Sequence, residues 1–149
     1  MVTPKELWQT FLEAHPVHKK ETYRIFSYGN FQSRTLFELT QSGLKTAHSS
    51  LYCLYELEEI DLPEINQWTI LLNEDGQASC ILKTHCVKIS PFIDVNSAHA
   101  KNECLGDATL TSWRKIQMAF FKEQLRKYDL SFDHDMLIVL EEFEVFYKG

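Results

Sequence analysis

Two apolar segments joined by a short turn constrain the fold of this chain most strongly. Residues Trp68 to Leu72 read as a strand, and Asn73-Glu74-Asp75-Gly76 follows directly as a turn rich in the residues that tight turns prefer. The chain then returns as a longer strand over residues 78–89, which stops before Pro91. Together these segments predict a long antiparallel hairpin.

Helices and strands are interspersed irregularly along the rest of the chain. Alternating apolar residues predict further strands over residues 23–28, 46–55 and 136–147. Helical periodicity predicts three helices, capped by Thr3, by Ser33 and by either Thr109 or Thr111, and a short helix over residues 94–103. The acidic segment 56–64 contains Pro63 and reads as a loop. Because there is no regular βαβ alternation, the pattern predicts an α+β fold built around a small, closed or nearly closed β-barrel.

Length and composition favour one domain that spans residues 1–149. Hydrophobic residues make up 44% of the chain, and its ten phenylalanines are spread over the whole length, so no part reads as disordered. The net charge of −6 argues against broad, charge-driven binding of nucleic acid, which needs a basic surface. A small basic pocket for one nucleotide or one phosphate remains compatible with this charge.

The cysteines, histidines and apolar runs indicate neither a metal site nor a membrane segment. None of the four cysteines forms a CxxC pair, and His15 and His18 have no third metal ligand nearby in the sequence. No apolar run approaches the roughly 20 residues that a membrane helix needs, and the polar amino terminus does not resemble a signal peptide. We therefore expect a cytoplasmic protein with reduced thiols, without metal or cofactor.

The segment from Gly43 to Ser50 contains the most informative polar residues. Gly43 follows an amphipathic helix, and Lys45, His48 and two serines come after it where a strand begins. A cation and several hydroxyl groups on a rigid junction suit an anion or a polar ligand. The alternative is a glycine that ends the helix, followed by a solvated lysine.

The order of short motifs along the chain resembles the ASCH-domain family, which is grouped with PUA-like folds, in its bacterial single-domain form. The resemblance runs nearly from end to end and is carried by Trp8 with the His15-Pro16 helix exit, Phe26-Ser27-Tyr28-Gly29, Gly43-x-Lys45-Thr46-Ala47, Leu62-Pro63, His99-Ala100-x-x-Glu103, Gly106-Asp107, Leu110-x-x-Trp113-Arg114 and Phe120-Phe121. It implies a PUA-like small β-barrel flanked by helices.

The resemblance also implies a polar pocket at the Gly-x-Lys segment. Members of the family are thought to bind RNA or nucleotide-like ligands there. Some smaller members look like amidohydrolases that remove the acetyl group from N(4)-acetylcytidine with a Lys-Thr-Glu set, and another member has been described as a ribonuclease. By position, the lysine is Lys45 and the glutamate is Glu103, while His48 stands where the family has threonine. An imidazole can act as a general base, but it cannot replace a threonine nucleophile atom for atom.

Three functions follow from these residues as hypotheses. The first is a binding module for a nucleotide, a modified nucleoside or a short single-stranded RNA, with Tyr28, Ser50, Asp107 and Arg114 as ligand-binding residues. The second is an amidohydrolase in which Lys45 stabilises an oxyanion, His48 activates water or Ser50, and Glu103 orients the leaving amine. The third is a ribonuclease that uses His48 with His99 or Glu103.

Two expectations about geometry accompany these hypotheses. We expect Lys45, Glu103 and Arg114 to converge around one cavity with His48 at its wall. The structural alternative is a buried ion pair between Lys45 and Glu103.

Overall fold

The structure, a computed structural model, describes residues 2–29 and 33–149. Its five α-helices and five β-strands follow one another in the order α1 (Pro4–Ala14), β1 (Tyr23–Phe26), α2 (Ser33–Gln41), β2 (Ala47–Leu51), α3 (Tyr52–Leu57), β3 (Trp68–Leu72), β4 (Ala78–Pro91), α4 (Ser97–Glu103), α5 (Leu110–Arg126) and β5 (Leu137–Lys148). Short 3-10 turns cover Pro16–His18 and Phe92–Asp94. The predicted α+β class is confirmed.

The strands form a mixed five-stranded sheet in the order β1-β3-β4-β5-β2. The predicted hairpin is present, because β3 and β4 pair antiparallel, with Trp68 opposite Lys83 and Leu71 opposite Cys80. β1 runs parallel to β3, and β2 runs antiparallel to β5. β1 and β2 end this order and do not pair with each other among the described strands, so the sheet is open. The expectation of a closed or nearly closed barrel is corrected in this respect.

The largest local difference from the prediction follows β2. The predicted strand over residues 46–55 stops at Leu51, and residues Tyr52–Leu57 form α3 in place of strand and loop. Leu51 and Leu54 are both buried, which is the three-residue spacing of a helix face. The amide of Glu58 donates to the carbonyl of Leu54 and closes the last helical turn.

The chain divides into two compact units. Unit one contains residues 1–46, 64–85 and 143–149. Its core is formed by Leu7, Trp8 and Phe11 of α1 with Trp68 and Ile70 of β3. The side chain of Thr3 accepts a hydrogen bond from the amide of Glu6, so the predicted cap of α1 is present.

Unit two contains residues 47–63 and 86–142. Its core includes Phe92, which stacks on Trp113 of α5 with ring centroids 5.2 Å apart, and Phe121, another buried residue of α5. Thr109 caps α5 by accepting a hydrogen bond from the amide of Ser112. That residues 1–149 act as one domain stays a prediction. Within the described ranges, no helix is both long enough and apolar enough to span a membrane.

Candidate functional site

The Gly43 segment ends α2 and delivers Lys45 to the interior of unit one. Gly43 has a φ of 86°, a left-handed conformation that glycine adopts without strain. Its amide donates to the carbonyl of Thr40, and the amides of Leu44 and Lys45 both donate to the carbonyl of Leu39. These bonds satisfy carbonyls that the helix end leaves open. The glycine therefore ends the helix, as the structural alternative predicted, but the lysine that follows is not solvated, since Lys45 is only 1% exposed.

Lys45 lies against an aromatic ring that is itself held in place. Its Nζ is 5.6 Å from the centroid of the Tyr28 ring, within the range of a cation–π contact. The Tyr28 hydroxyl and Oγ1 of Thr40 are 2.7 Å apart, and the Thr40 hydroxyl donates to the carbonyl of Leu36 at 2.8 Å. Because Thr40 has one hydroxyl proton, Tyr28 is the donor in the first bond. The structure thus brings together two predicted site residues, Lys45 and Tyr28.

Tyr28 also borders a cavity of about 190 Å³ in unit one. The cavity has a mixed polar and apolar lining, formed by Ser27, Tyr28, Gly29, Ser33, Leu72, Asn73, Glu74 and Gly76. Its wall therefore combines an aromatic ring with hydroxyl, amide and carboxylate groups from the end of β1, the start of α2 and the β3–β4 turn. Pockets that bind drug-sized ligands have volumes of about 300–1,000 Å³, so this cavity suits a smaller group.

A cation stands beside this cavity. Nε of Arg34 is 3.7 Å from Oε1 of Glu74 and 3.3 Å from Oε1 of Glu38, and its side chain is largely exposed.

The formal charge is distributed unevenly between the two units. Over the whole sequence of unit one, eight lysines and arginines balance eight aspartates and glutamates. The net negative charge of the chain comes from unit two, where seven basic residues face thirteen acidic ones. An anionic ligand therefore meets less repulsion from unit one than from unit two.

Glu103, at the end of α4 in unit two, is the centre of a buried hydrogen-bond network. It is 1% exposed. Its Oε1 accepts from the Ser49 hydroxyl at 2.5 Å and from Nε1 of Trp113 at 2.7 Å, and Nε2 of His99 lies 3.0 Å away. Its Oε2 accepts from the Ser49 amide at 3.1 Å and from Nε2 of Gln117 at 2.8 Å.

This arrangement uses the full capacity of the carboxylate. A carboxylate offers about four lone-pair positions, and five donor groups from β2, α4 and α5 surround Glu103. Nε2 of His99 is also 2.7 Å from the Ser49 hydroxyl oxygen, so a proton on this nitrogen has two acceptors within reach. The network fixes the mutual position of β2, α4 and α5 inside unit two, which is a structural task.

The alternation of β2 separates His48 and Ser50 from Ser49. Ala47, Ser49 and Leu51 are buried on one face, while His48 and Ser50 are half-buried on the other. His48 lies directly opposite Glu141 of β5, a buried glutamate. The Ser50 hydroxyl and the Tyr55 hydroxyl are 2.6 Å apart. Ser50 is therefore the serine that shares the side of His48.

Asp107 and Arg114 occupy positions near the start of α5. The Asp107 carboxylate accepts from the amide and the hydroxyl of Thr109 at 3.0 and 2.6 Å. Hydrogen bonds from Ser112 and Thr109 lower the pKa of Asp107 from 3.8. An Nη of Arg114 donates to the carbonyl of Ile93 at 3.4 Å, and within the described chain its Nε is buried without a hydrogen-bond partner.

Sequence reasoning missed three of the partners of Glu103. The fourth partner, His99, lies four residues before Glu103 in the His99-Ala100-x-x-Glu103 motif, a spacing that places both residues on one helical face, and the two are in contact. Sequence reasoning gave no site role to Ser49, Trp113 or Gln117. Trp113 and Gln117 are also four apart, so one face of α5 carries both donors, a signal that was present in the sequence.

Within residues 2–29 and 33–149, no group of three or more His, Cys, Asp or Glu side chains is arranged to hold a metal ion. Of the four cysteines, Cys80 is buried and the others are half-buried, and none forms a disulfide. Burial raises the pKa of the Cys80 thiol to about 11.

Comparison with known proteins agrees with this fold. A family model described as ASCH domain matches residues 25–147. The chain is similar to a protein of Enterococcus faecalis V583 from the DUF984 family, with 34% identity, a TM-score of 0.85 and coverage of 95% of this chain and 86% of that one. It is also similar to an ASCH domain from Lactobacillus crispatus JV V101, with 26% identity, a TM-score of 0.84 and 93% of each chain covered. A hypothetical protein, PH0355, shares the fold at 16% identity and a TM-score of 0.51, over 83% of this chain and 96% of that one. Among curated proteins, no match was found.

Proposed function

Because the chain belongs to the ASCH-domain family, which is generally thought to bind RNA, we propose that it is a binding module for RNA or a nucleotide-like ligand. We place the ligand in the cavity that Tyr28 borders in unit one. In this proposal the base stacks on Tyr28, the polar groups of the cavity contact the base edge, and Arg34 contacts a phosphate. Lys45 supports the Tyr28 ring from the interior.

One observation carries the proposal: Tyr28 is a half-buried ring that is held in place beside a cavity with polar groups in its wall. Its hydroxyl donates to Thr40 and a buried ammonium group lies over its ring, so little side-chain freedom is lost when a base stacks on it. Base–aromatic stacking is worth about 1–3 kcal/mol per base. Recognition of single-stranded RNA commonly combines such stacking with hydrogen bonds to the base edge.

The groups around the cavity fit a nucleobase. Asn73 supplies an amide and Glu74 a carboxylate, and a carboxylate accepts from the amino group of cytosine. The volume of about 190 Å³ suits a single base better than a larger ligand. Since unit one is neutral by formal charge, it tolerates a phosphate on the same ligand.

The network around Glu103 favours binding over hydrolysis. A glutamate that orients a leaving amine needs a lone pair for that amine, and five donors already surround this carboxylate. His48 in place of the family threonine removes the hydroxyl that the amidohydrolase mechanism implies. Both points support a binding module that has kept the family scaffold.

Titration with nucleoside 5′-monophosphates tests the proposal. We expect calorimetry to give saturable binding of at least one of AMP, CMP, GMP and UMP. Tyr28→Leu should weaken it about 5- to 150-fold, which corresponds to the loss of one stacked base. Tyr52→Leu is the matched control, because Tyr52 is an exposed tyrosine of α3 in unit two. Absence of binding to all four nucleotides, or equal affinity of the Tyr28 and Tyr52 variants, would contradict the proposal.

Acetate release from N(4)-acetylcytidine tests the amidohydrolase alternative. We expect no turnover by the natural protein, because a missing positioned nucleophile or base commonly costs about 100-fold or more in rate. His48→Thr should recover activity only if the rest of the pocket is intact. Fast acetate release by the natural protein, abolished by Glu103→Gln in a variant that remains folded, would establish a hydrolase and overturn the binding module.

A further inference from the structure

A second aromatic surface lies in unit one and contains none of the residues that line the Tyr28 cavity. Phe146 of β5 is 38% exposed, and its ring centroid is 4.9 Å from that of Trp68, in an edge-on arrangement. Phe11 and His15 approach the same ring at 6.0 and 5.8 Å. Phe146 is thus a partly exposed ring fixed on a packed aromatic base, and its orientation does not depend on a ligand.

One lysine lies over the rings of this surface, and two exposed lysines follow in the sequence after a histidine that contacts it. Nζ of Lys83 is 5.2 Å from the Trp68 ring and 5.6 Å from the Phe146 ring. Lys19 and Lys20 come directly after His18, whose ring contacts Trp68 at 5.0 Å. Both lysines are exposed, and neither forms an ion pair with a described residue. Glu21 reduces the local charge, since it contacts His18 and accepts a hydrogen bond from Nε1 of Trp68.

The net charge of the protein is −6, yet this surface combines an exposed aromatic ring, a lysine over that ring and two exposed lysines beside His18 in the sequence. Such a surface is complementary to a polyanion with flat bases. A single nucleotide in the Tyr28 cavity has no need of this surface. A longer single strand does need this surface. Each further base adds binding free energy when it stacks on an aromatic ring, and each further phosphate adds binding free energy when it pairs with a cation.

We propose that Phe146 and Lys83, with Lys19 and Lys20, form a second contact surface for single-stranded RNA, on which Phe146 stacks one base. This inference rests on the proposed function and makes it more specific, since it selects an oligonucleotide over a mononucleotide as the ligand. The surface uses residues to which the family resemblance gave no role.

Fluorescence anisotropy with a labelled ten-nucleotide single-stranded RNA tests the inference. We expect this RNA to bind more tightly than CMP, and Phe146→Leu to weaken RNA binding about 5- to 150-fold while leaving CMP binding unchanged. Phe120→Leu is the matched control, because Phe120 is 41% exposed on α5 in unit two and has no cation over its ring among the described contacts.

The salt dependence of RNA binding tests the role of Lys83. Lys83→Met should reduce the slope of log affinity against log salt concentration by about 0.7, the value for one phosphate on a single strand. This second variant keeps the test decisive if Phe146→Leu does not fold.

Each outcome has one meaning. If CMP binds but the longer RNA binds no more tightly, the second surface is wrong and the proposed function stands. If the longer RNA binds and the Phe146 and Phe120 variants are equally affected, the surface is again wrong. If RNA binding depends on Phe146 and Lys83 while CMP does not bind, the surface is right and the Tyr28 cavity is not the ligand site. If neither probe binds, both proposals are overturned.

Discussion

The indole N–H of Trp113 donates to Oε1 of Glu103 at 2.7 Å, inside the core of unit two. This bond joins two motifs that the resemblance treats separately, His-Ala-x-x-Glu on α4 and Leu-x-x-Trp-Arg on α5. Both residues are almost fully buried. A carboxylate in such a position is stable only when donors surround it, so the two motifs have a joint structural reason to occur together.

Glu103→Gln should destabilise the protein strongly. The new amide group would present two N–H donors where the carboxylate accepts bonds from Ser49, Trp113, His99 and Gln117. Unsatisfied buried donors cost about 1–3 kcal/mol each, so we expect a loss of about 3 kcal/mol in unfolding free energy, measured by urea denaturation. Glu142→Gln is the control, since Glu142 is half-buried on β5 opposite Ala47 and should lose less than about 0.5 kcal/mol. Equal losses in the two variants would show that the network does not stabilise unit two.

Asp107 should make stability depend on acid pH. Because the pKa of Asp107 is lower in the folded protein than the ordinary value of 3.8, its ionised form stabilises the fold above pH 3.8, and this contribution is lost as the pH falls through the lowered pKa. Asp107→Asn should therefore lower the thermal midpoint at pH 6 and have no effect at pH values below that lowered pKa. If the difference in thermal midpoint between the natural protein and Asp107→Asn stays constant from pH 6 down to this acid pH, the lowered pKa of Asp107 is contradicted. The same variant should bind nucleotides normally if Asp107 serves the start of α5 and not the ligand.

Gly43→Ala should destabilise the end of α2 through its backbone conformation. No atom lies within 4 Å of the position that an alanine Cβ would take, so the cost comes from the φ of 86° and not from a clash. The left-handed conformation costs an ordinary residue about 1–2 kcal/mol, whereas asparagine tolerates it better. In chemical denaturation, the natural protein should have the largest unfolding free energy, Gly43→Asn a smaller one and Gly43→Ala the smallest. An alanine variant as stable as the natural protein would contradict this account of the helix end.

The Cys80 thiol should be the least reactive of the four. It is fully buried and its pKa is raised to about 11, so it stays protonated at neutral pH, and the thiolate is the reactive form. In native protein treated with iodoacetamide at pH 8, peptide mapping should show Cys86 and Cys104 modified well before Cys80. In urea all four should react. Rapid labelling of Cys80 in the native state would mean that β4 opens locally.

Sequence reasoning succeeded where the signal is local. The hairpin turn at residues 73–76, the caps at Thr3 and Thr109 and the helix end at Gly43 are each specified by a few neighbouring residues, and the structure contains all of them. It failed at Tyr52–Leu57, where aromatic and apolar residues also suit a strand and only the spacing of Leu51 and Leu54 indicates a helix.

The surroundings of Glu103 could be predicted only in part. The contact with His99 lies within one helix and can be read from a spacing of four residues. Ser49 reaches the same carboxylate from β2, 54 positions earlier in the sequence, and Trp113 and Gln117 reach it from another helix. Such contacts are set by tertiary packing, which residue spacing does not encode. The burial of Lys45 is a similar case, since the sequence alone is also compatible with a solvated lysine.

The most direct test of the account is an isotope-edited nuclear Overhauser experiment on the labelled protein with saturating CMP. We expect contacts between the H5 and H6 protons of the cytosine and the ring protons of Tyr28, which disappear in Tyr28→Leu and persist in Tyr52→Leu. Saturable binding of CMP without any contact to the Tyr28 ring would contradict the claim that this cavity is the ligand site.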